Sequence, residues 1–159
     1  MAIIPIHIAP DPILRQKSKQ VRFINKSIHK LIGDMLETMH AAPGVGLAAP
    51  QIGIPLRVIV IGLPEQDDIA LINPVIMRRS GERLVSEGCL SVPGYVGEVK
   101  RAVSVTAKGR NQNGKETRIK ADELLAQVLE HEINHLNGVL YIDQLESELR
   151  QIEPEEAQP

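Results

Sequence analysis

Asp122-Glu-Leu-Leu-Ala-Gln-Val-Leu-Glu-His-Glu-Ile-Asn-His-Leu-Asn-Gly138 is the stretch that decides the reading of this chain. Asp122 can cap a helix and Gly138 can end one. Between them Leu124, Leu125, Val128, Leu129, Ile133 and Leu136 cover nearly every direction around the axis, the pattern of a helix buried in the protein centre. Such a helix has no cheap place for polar groups, yet it carries His131-Glu132-Ile133-Asn134-His135. In this H-E-x-x-H spacing the two histidines lie one turn apart on one face, so both imidazoles reach a single metal ion. Glu132 lies beside them, placed to act as a base toward water on that metal without ligating it. The plainer reading, three satisfied polar residues on a helix, is weakened by the apolar surroundings, where burial without a metal or partners is costly.

Two histidines leave a catalytic site one protein ligand short, and no glutamate follows at the usual short spacing downstream. The candidate lies upstream in Glu87-Gly-Cys-Leu-Ser-Val-Pro93, which holds the single cysteine, Cys89. A thiolate there completes a Cys-His-His set. Two alternatives stay open for Cys89: a small buried hydrophobe, and a nucleophile activated by a histidine. The remaining histidines, His7, His29 and His40, fall outside any such pattern and read as surface or packing residues.

Working outward, Ile28, Leu31, Ile32, Met35, Leu36 and Met39 form one stripe of an amphipathic helix, capped by Asn25 or Ser27 and stopped by Pro43-Gly44. Gly44-Val-Gly-Leu-Ala-Ala-Pro-Gln-Ile-Gly53 is then a run of small residues between helix and strand. It lacks the Lys-Ser/Thr ending of a phosphate loop. It reads either as a plain loop or as a wall where backbone approaches an extended substrate, with the Gln51 amide aimed at a developing oxyanion. Arg57–Ile61 and Ile69–Asn73 read as strands joined by the polar turn 64–68, and Arg101–Ala107 pairs with Lys115–Ile119 through an Asn113-Gly114 hairpin. After Leu145 five acids face one arginine, so residues 146–159 carry a net charge of −4 and read as a short helix fraying into disorder. The expected organisation is one catalytic domain over 1–145 followed by an acidic tail over 146–159.

The chain has 159 residues, enough for one domain with its own core. A single cysteine excludes an intrachain disulfide and suits a reducing compartment. With 18 Lys+Arg against 20 Asp+Glu the whole-chain charge of −2 gives no basic footprint, and three aromatic residues are too few for a base-stacking platform. Nucleic-acid specificity is therefore not expected. The longest apolar stretch, Val58–Leu63, is too short to span a bilayer, and the first residues lack a charged and apolar leader pattern. A cytoplasmic protein, monomeric, with no membrane partner, is expected.

Taken together, Gly44-Val-Gly-Leu-Ala-Ala-Pro-Gln51, Glu87-Gly-Cys-Leu-Ser91 and His131-Glu-Ile-Asn-His135 resemble the three signature motifs of peptide deformylases, in that family's order. The resemblance covers roughly nine-tenths of the chain, from about Pro5 to Leu145. It implies an α+β fold with antiparallel sheets around a central buried helix that bears the third motif, beside an N-terminal amphipathic helix. It also implies a metal-dependent hydrolase that removes the formyl group from the formyl-methionine of newly made polypeptides and releases formate. By that resemblance Cys89, His131 and His135 hold one divalent ion, ferrous iron in much of the family, with water as the fourth ligand. Thiolate and imidazole donors suit Zn2+, Ni2+ or Co2+ as well. Glu132 would pass a proton from that water to the departing amine, and Gln51 and the backbone N–H of Leu90 would donate to the oxyanion. The backbone of Val45, Gly46 and Leu47 would pair with the peptide as an added strand. Leu124, Gln127 and Val128, on the helix face of His131, would line a methionine-sized pocket with Val45.

Three departures from the family pattern stand out. Gln127 replaces a commonly apolar residue, which implies a more polar or shallower pocket. Glu130 and Asn134 replace the usual glutamine and aspartate of the third motif; Asn134 threatens to leave a cation, with Arg101 the candidate, without its partner, and Glu130 is expected to return that charge nearby. The acidic tail argues against the ribosome docking that some bacterial members achieve with a basic C-terminal helix, though ribosome contact elsewhere stays open. Two other readings compete: an H-E-x-x-H zinc peptidase in which Cys89 is structural, and a metal- or peptide-binding relative without turnover.

Overall fold

Asn25 opens the first helix, α1 (Lys26–Ala41), by accepting hydrogen bonds from the backbone N–H groups of Ser27 and Ile28 at 3.1 and 3.2 Å. In this computed structural model, which describes residues 2–152, the predicted stripe is buried except for half-buried Leu36. The eight strands are β1 (Gly46–Ala48), β2 (Val58–Ile61), β3 (Ile69–Ser80), β4 (Arg83–Cys89), β5 (Val92–Arg101), β6 (Ser104–Arg110), β7 (Glu116–Asp122) and β8 (Arg150–Gln151). A second helix, α2 (Glu123–Leu136), follows β7. All strand pairs are antiparallel, in one sheet of order β1-β2-β3-β6-β7 and another of order β4-β5-β8.

The apolar run Val58-Ile59-Val60-Ile61 is buried on both faces of the larger sheet, which is why it shows no alternation. Ile59 and Ile61 pack with Leu129, Ile133 and Leu136 of α2. Val58 and Val60 pack with Ile32, Met35 and Met39 of α1. The sheet is thus held between the two helices, and the side facing α2 receives the H-E-x-x-H segment.

Several expectations need correction. The small-residue run is not a plain loop: Gly46–Ala48 forms β1 and Ala49–Ile52 a 3-10 turn. The strand expected over Arg101–Ala107 is two strand ends, since Arg101 closes β5 and β6 begins at Ser104. β4 and β5 were not anticipated, because Gly94, Gly97 and Pro93 interrupt the usual strand composition. Asp122 precedes α2 but does not cap it; its carboxylate accepts from the Ser104 hydroxyl instead. The first turn of α2 reaches the surface, so Leu124 is 46% exposed and the helix is not apolar-packed all round.

The segment after Leu145 is not helical where it is described. Glu146 N–H donates to the Glu98 carbonyl at 2.7 Å, Arg150–Gln151 pair with Tyr95–Val96, and Ile152 N–H donates to the Gly94 carbonyl at 2.9 Å. An open edge of β5 offers backbone partners that outweigh the weak helix preference of this sequence. Gly97 fits the arrangement, since a Cβ there would strike the Leu145 side chain. The fraying expected further on falls on 153–159, outside the described residues.

Candidate metal and active site

Cys89 ends β4, and a two-residue turn, Leu90-Ser91, returns the chain into β5. That turn carries the cysteine beneath α2, where His131 and His135 present ring centroids 5.0 Å apart. One donor atom from each of Cys89, His131 and His135 lies within 4.8 Å of the others, and all three residues are buried. Cys89 Sγ is 3.3 Å from His135 Nε2.

Behind this cluster, His131 Nδ1 donates to Glu87 Oε1 at 2.8 Å, which leaves Nε2 with its lone pair for a metal. Arg101 grips the same carboxylate through Nε and Nη2 at 2.6 and 2.7 Å. Burial pushes the Glu87 carboxyl up, but the hydrogen bonds from Arg101 and then His131 outweigh it and hold it at about 2. Burial lowers the pKa of His135 well below the ordinary imidazole value, so it is a neutral donor. Tyr141 stacks on His131 at 6.3 Å between centroids. One thiol and two buried imidazoles, that of His131 oriented by Glu87, fit a soft or borderline divalent ion.

Glu132 is 2% exposed, and its Oε1 has no hydrogen-bond partner. Burial raises its carboxyl to about 7. Gly46 lies directly against it: a Cβ there would come 2.5 Å from Glu132 Oε2 and 2.9 Å from Val128 Cγ1. Gln51 is also buried, its Oε1 accepting from Ala48 N–H at 2.9 Å. That bond aims Nε2 at Ser91 Oγ and Cys89 Sγ, 3.1 and 3.7 Å away.

The structure therefore brings Cys89, His131, His135 and Gln51 together, with Gly46 of β1 lying against Glu132 and Val128 of α2. Val45 packs against the apolar cluster below α2, Leu47 is fully buried toward α1, and Leu90 is half-buried in the turn. Gln127 is half-buried and its Nε2 donates to the Ser86 carbonyl at 3.4 Å, whereas Leu124 stands on the exposed first turn. Sequence reasoning gave no role to Glu87, Ser91 or Tyr141, and to Arg101 only that of a cation facing position 134. Glu87 had a signal, since a metal-bound histidine needs an acceptor for its other nitrogen and an acid stands two residues from the cysteine.

Arg101 has not lost its partner to the replacement at position 134. Glu87 holds it, and its Nη1 also donates to Gln144 Oε1 at 3.3 Å, an oxygen shared with Asn134 Nδ2 at 3.1 Å. Nor does Glu130 restore charge there: it pairs with Arg79 at 2.8 Å and accepts from Ala102 N–H at 2.7 Å.

Over residues 3–151 the sequence matches the family described as polypeptide deformylase. The chain belongs to that family. It is 52% identical to a peptide deformylase of Dehalococcoides mccartyi, an alignment covering 100% of this chain and 97% of that protein. The crystal structure of a peptide deformylase from Legionella pneumophila superposes with a TM-score of 0.88 at 46% identity, covering 91% of this chain and 86% of that one. Another, from Synechococcus elongatus in complex with actinonin, gives 0.88 at 43% identity, covering 91% and 79%. As a member of this family the protein is a hydrolase that removes the N-formyl group from nascent polypeptides. No helix among the described residues is long and apolar enough to cross a membrane.

Proposed function

We propose that Glu132, Gln51 and the backbone N–H of Leu90 carry out this deformylation beside a divalent ion held by Cys89, His131 and His135. The observation that supports it most is the convergence of three buried donor atoms within 4.8 Å, one from the end of β4 and two from the helix that also bears Glu132, whose buried Oε1 has no hydrogen-bond partner. When bound, the ion supplies Lewis acidity, polarising the formyl oxygen and lowering the pKa of water at its open position.

The protein's own groups then divide the work. Glu132 takes the proton of the attacking water and returns it to the departing amine, and burial sets its proton affinity near neutrality, where both transfers are easy. Gln51 Nε2 donates to the oxyanion, held in place because Oε1 is tied to Ala48 N–H. The Leu90 N–H is the second donor, fixed by the tight turn after Cys89. β1 is an outer strand of its sheet, so an extended peptide adds beside Val45, Gly46 and Leu47. Val128, Gln127, Val45 and, at the outer rim, Leu124 line the pocket for the methionine side chain.

Ferrous iron is the proposed ion, on the family resemblance; the same donors suit zinc, nickel and cobalt. The protein is proposed to act in the cytoplasm as a monomer, on nascent formyl-methionyl chains, with no docking through the acidic segment after Leu145. The metal assignment is tested by analysis of protein purified anaerobically with ferrous iron. One ion per chain is expected in the wild type and none in Cys89→Ala or His135→Ala. Full occupancy in Cys89→Ala would overturn the ligand set.

A further inference from the structure

The hairpin formed by β6 and β7, residues 104–122, carries Lys108, Arg110, Lys115, Arg118 and Lys120 against two acids, Glu116 and Asp122, the latter accepting from the Ser104 hydroxyl opposite it, in a chain whose net charge is −2. Register places most of these on one surface. Lys108 lies opposite Arg118, Thr106 opposite Lys120 and Arg110 opposite Glu116, while across the other side of β6 Arg78 faces Thr106. Directly paired residues and their i, i+2 neighbours share a face, so Arg78, Lys108, Arg110, Arg118 and Lys120 stand on the side away from α2. The opposite side of the same strands carries Val105, Ala107 and Ala121, packed under α2. Arg22 extends the patch, lining one surface hollow with Arg110 and with Phe23, which is 78% exposed.

Away from this face Arg15, Lys30, Arg79, Arg83, Lys100 and Arg101 each pair with a carboxylate, while among the described residues Lys17, Lys19, Lys26 and Arg57 do not, Arg57 being buried against backbone carbonyls. On this face Lys108 pairs with Glu116 at 3.2 Å, whereas Arg22, Arg78, Arg110, Arg118 and Lys120 have no ion pair among the described residues. Like charges set directly opposite, as in Lys108 and Arg118, destabilise a strand pair. Protection of an exposed sheet edge explains basic residues on β7, the outermost strand, but not those on β3 and β6, which have neighbours on both sides. The acids of the 146–148 segment lie with the other sheet, against β5. Whole-chain charge conceals this segregation.

We propose that the outer face of β3, β6 and β7 docks on the phosphodiester backbone of RNA, without reading its sequence. The choice of RNA rests on the deformylase reading, since RNA is the polyanion that surrounds a polypeptide still being made. The scarcity of aromatic residues fits backbone contact rather than base stacking.

The test is fluorescence anisotropy of a labelled 20-nucleotide polyuridylate titrated with the full-length metal-loaded protein from 50 to 200 mM salt. Single-stranded contacts give a log–log salt slope of about −0.7 per phosphate neutralised, so four contacts predict about −3. Lys108→Glu/Arg118→Glu is expected to weaken binding at least about tenfold. Arg78→Gln/Arg110→Gln, which introduces no new negative charge, should weaken it in the same direction and lower the slope. Both variants should keep wild-type formate release from a free formyl-Met-Ala-Ser peptide, which also verifies their folding. Salt-independent binding, no binding at 50 mM salt, undiminished binding by both variants, or preference for phosphatidylglycerol vesicles through the same residues would each overturn the proposal. Formate release without RNA binding defeats this inference alone; RNA binding without formate release defeats the deformylase reading.

Discussion

His131 Nδ1 donates to Glu87 Oε1 at 2.8 Å, so the ring of one proposed ligand is aimed by an acid that stands only two residues from another, Cys89. Arg101 locks that acid from the far side at 2.6 and 2.7 Å. One short strand end thus supplies both a proposed metal donor and the group that orients another. Glu87→Gln keeps the shape but loses the charge that holds the imidazole and the guanidinium. Metal affinity measured by chelator competition is expected to fall about 10–100-fold, with α-helix content unchanged. Wild-type affinity in this variant would show that the contact does not orient the ligand.

Gly46 lets β1 pass against Glu132. Adding one methyl group places a carbon 2.5 Å from Glu132 Oε2 and 2.9 Å from Val128 Cγ1, both in a packed interior. Gly46→Ala is expected to cost about 1–3 kcal/mol of stability in chemical denaturation. It should also lower kcat, because the displaced group is the one proposed to carry the proton. A variant with unchanged kcat and stability would mean that α2 yields more easily than its packing implies.

Gln127 reaches toward the Ser86 carbonyl over 3.4 Å, a weak tether for a half-buried amide beside the pocket. Gln127→Ile removes the polar lining and is expected to raise kcat/KM for formyl-norleucine more than for formyl-methionine peptides, by a few-fold. Equal kinetics on both substrates before and after the substitution would remove Gln127 from the pocket.

Acid should loosen the start of the chain. Asp34 accepts from Lys30 Nζ and from Ala2 N–H, both at 2.8 Å. Lys30 chiefly, with Ala2, lowers its pKa below the ordinary 3.8, against the effect of burial. A depressed folded value means that the contribution to stability is complete above the unfolded pKa and is lost as pH falls through the lower folded value. At pH 7 the wild type should therefore melt at a higher temperature than Asp34→Asn. The two should converge as pH drops below about 4. A gap that widens with acid would reverse the sign.

Much of this site was legible before any coordinates. The H-E-x-x-H spacing needs only helical geometry to bring two imidazoles together, and Cys89 completes it from another strand. The α1 stripe was equally plain, because a 3.6-residue period is strong over sixteen residues. What escaped was what depends on distant partners. β4 and β5 carry glycine and proline that local preference reads as loop, and residues 150–151 form a strand only because β5 offers an edge. Asn134 looked like a lost ion pair, yet Arg101 takes Glu87 and Gln144 instead, a choice fixed by how the strands cross. The basic face of the hairpin was hidden for the same reason, since a sum over the chain cannot show which strand faces sit side by side.

The most direct measurement is formate release from formyl-Met-Ala-Ser by anaerobically purified, iron-loaded protein, beside Glu132→Ala loaded to the same metal content. Rapid release by the wild type, reduced by at least about 100-fold in the variant, is the predicted result. Equal release by both proteins would contradict the role given to Glu132, and no release from a fully metal-loaded wild type would contradict the assignment of this site to deformylation.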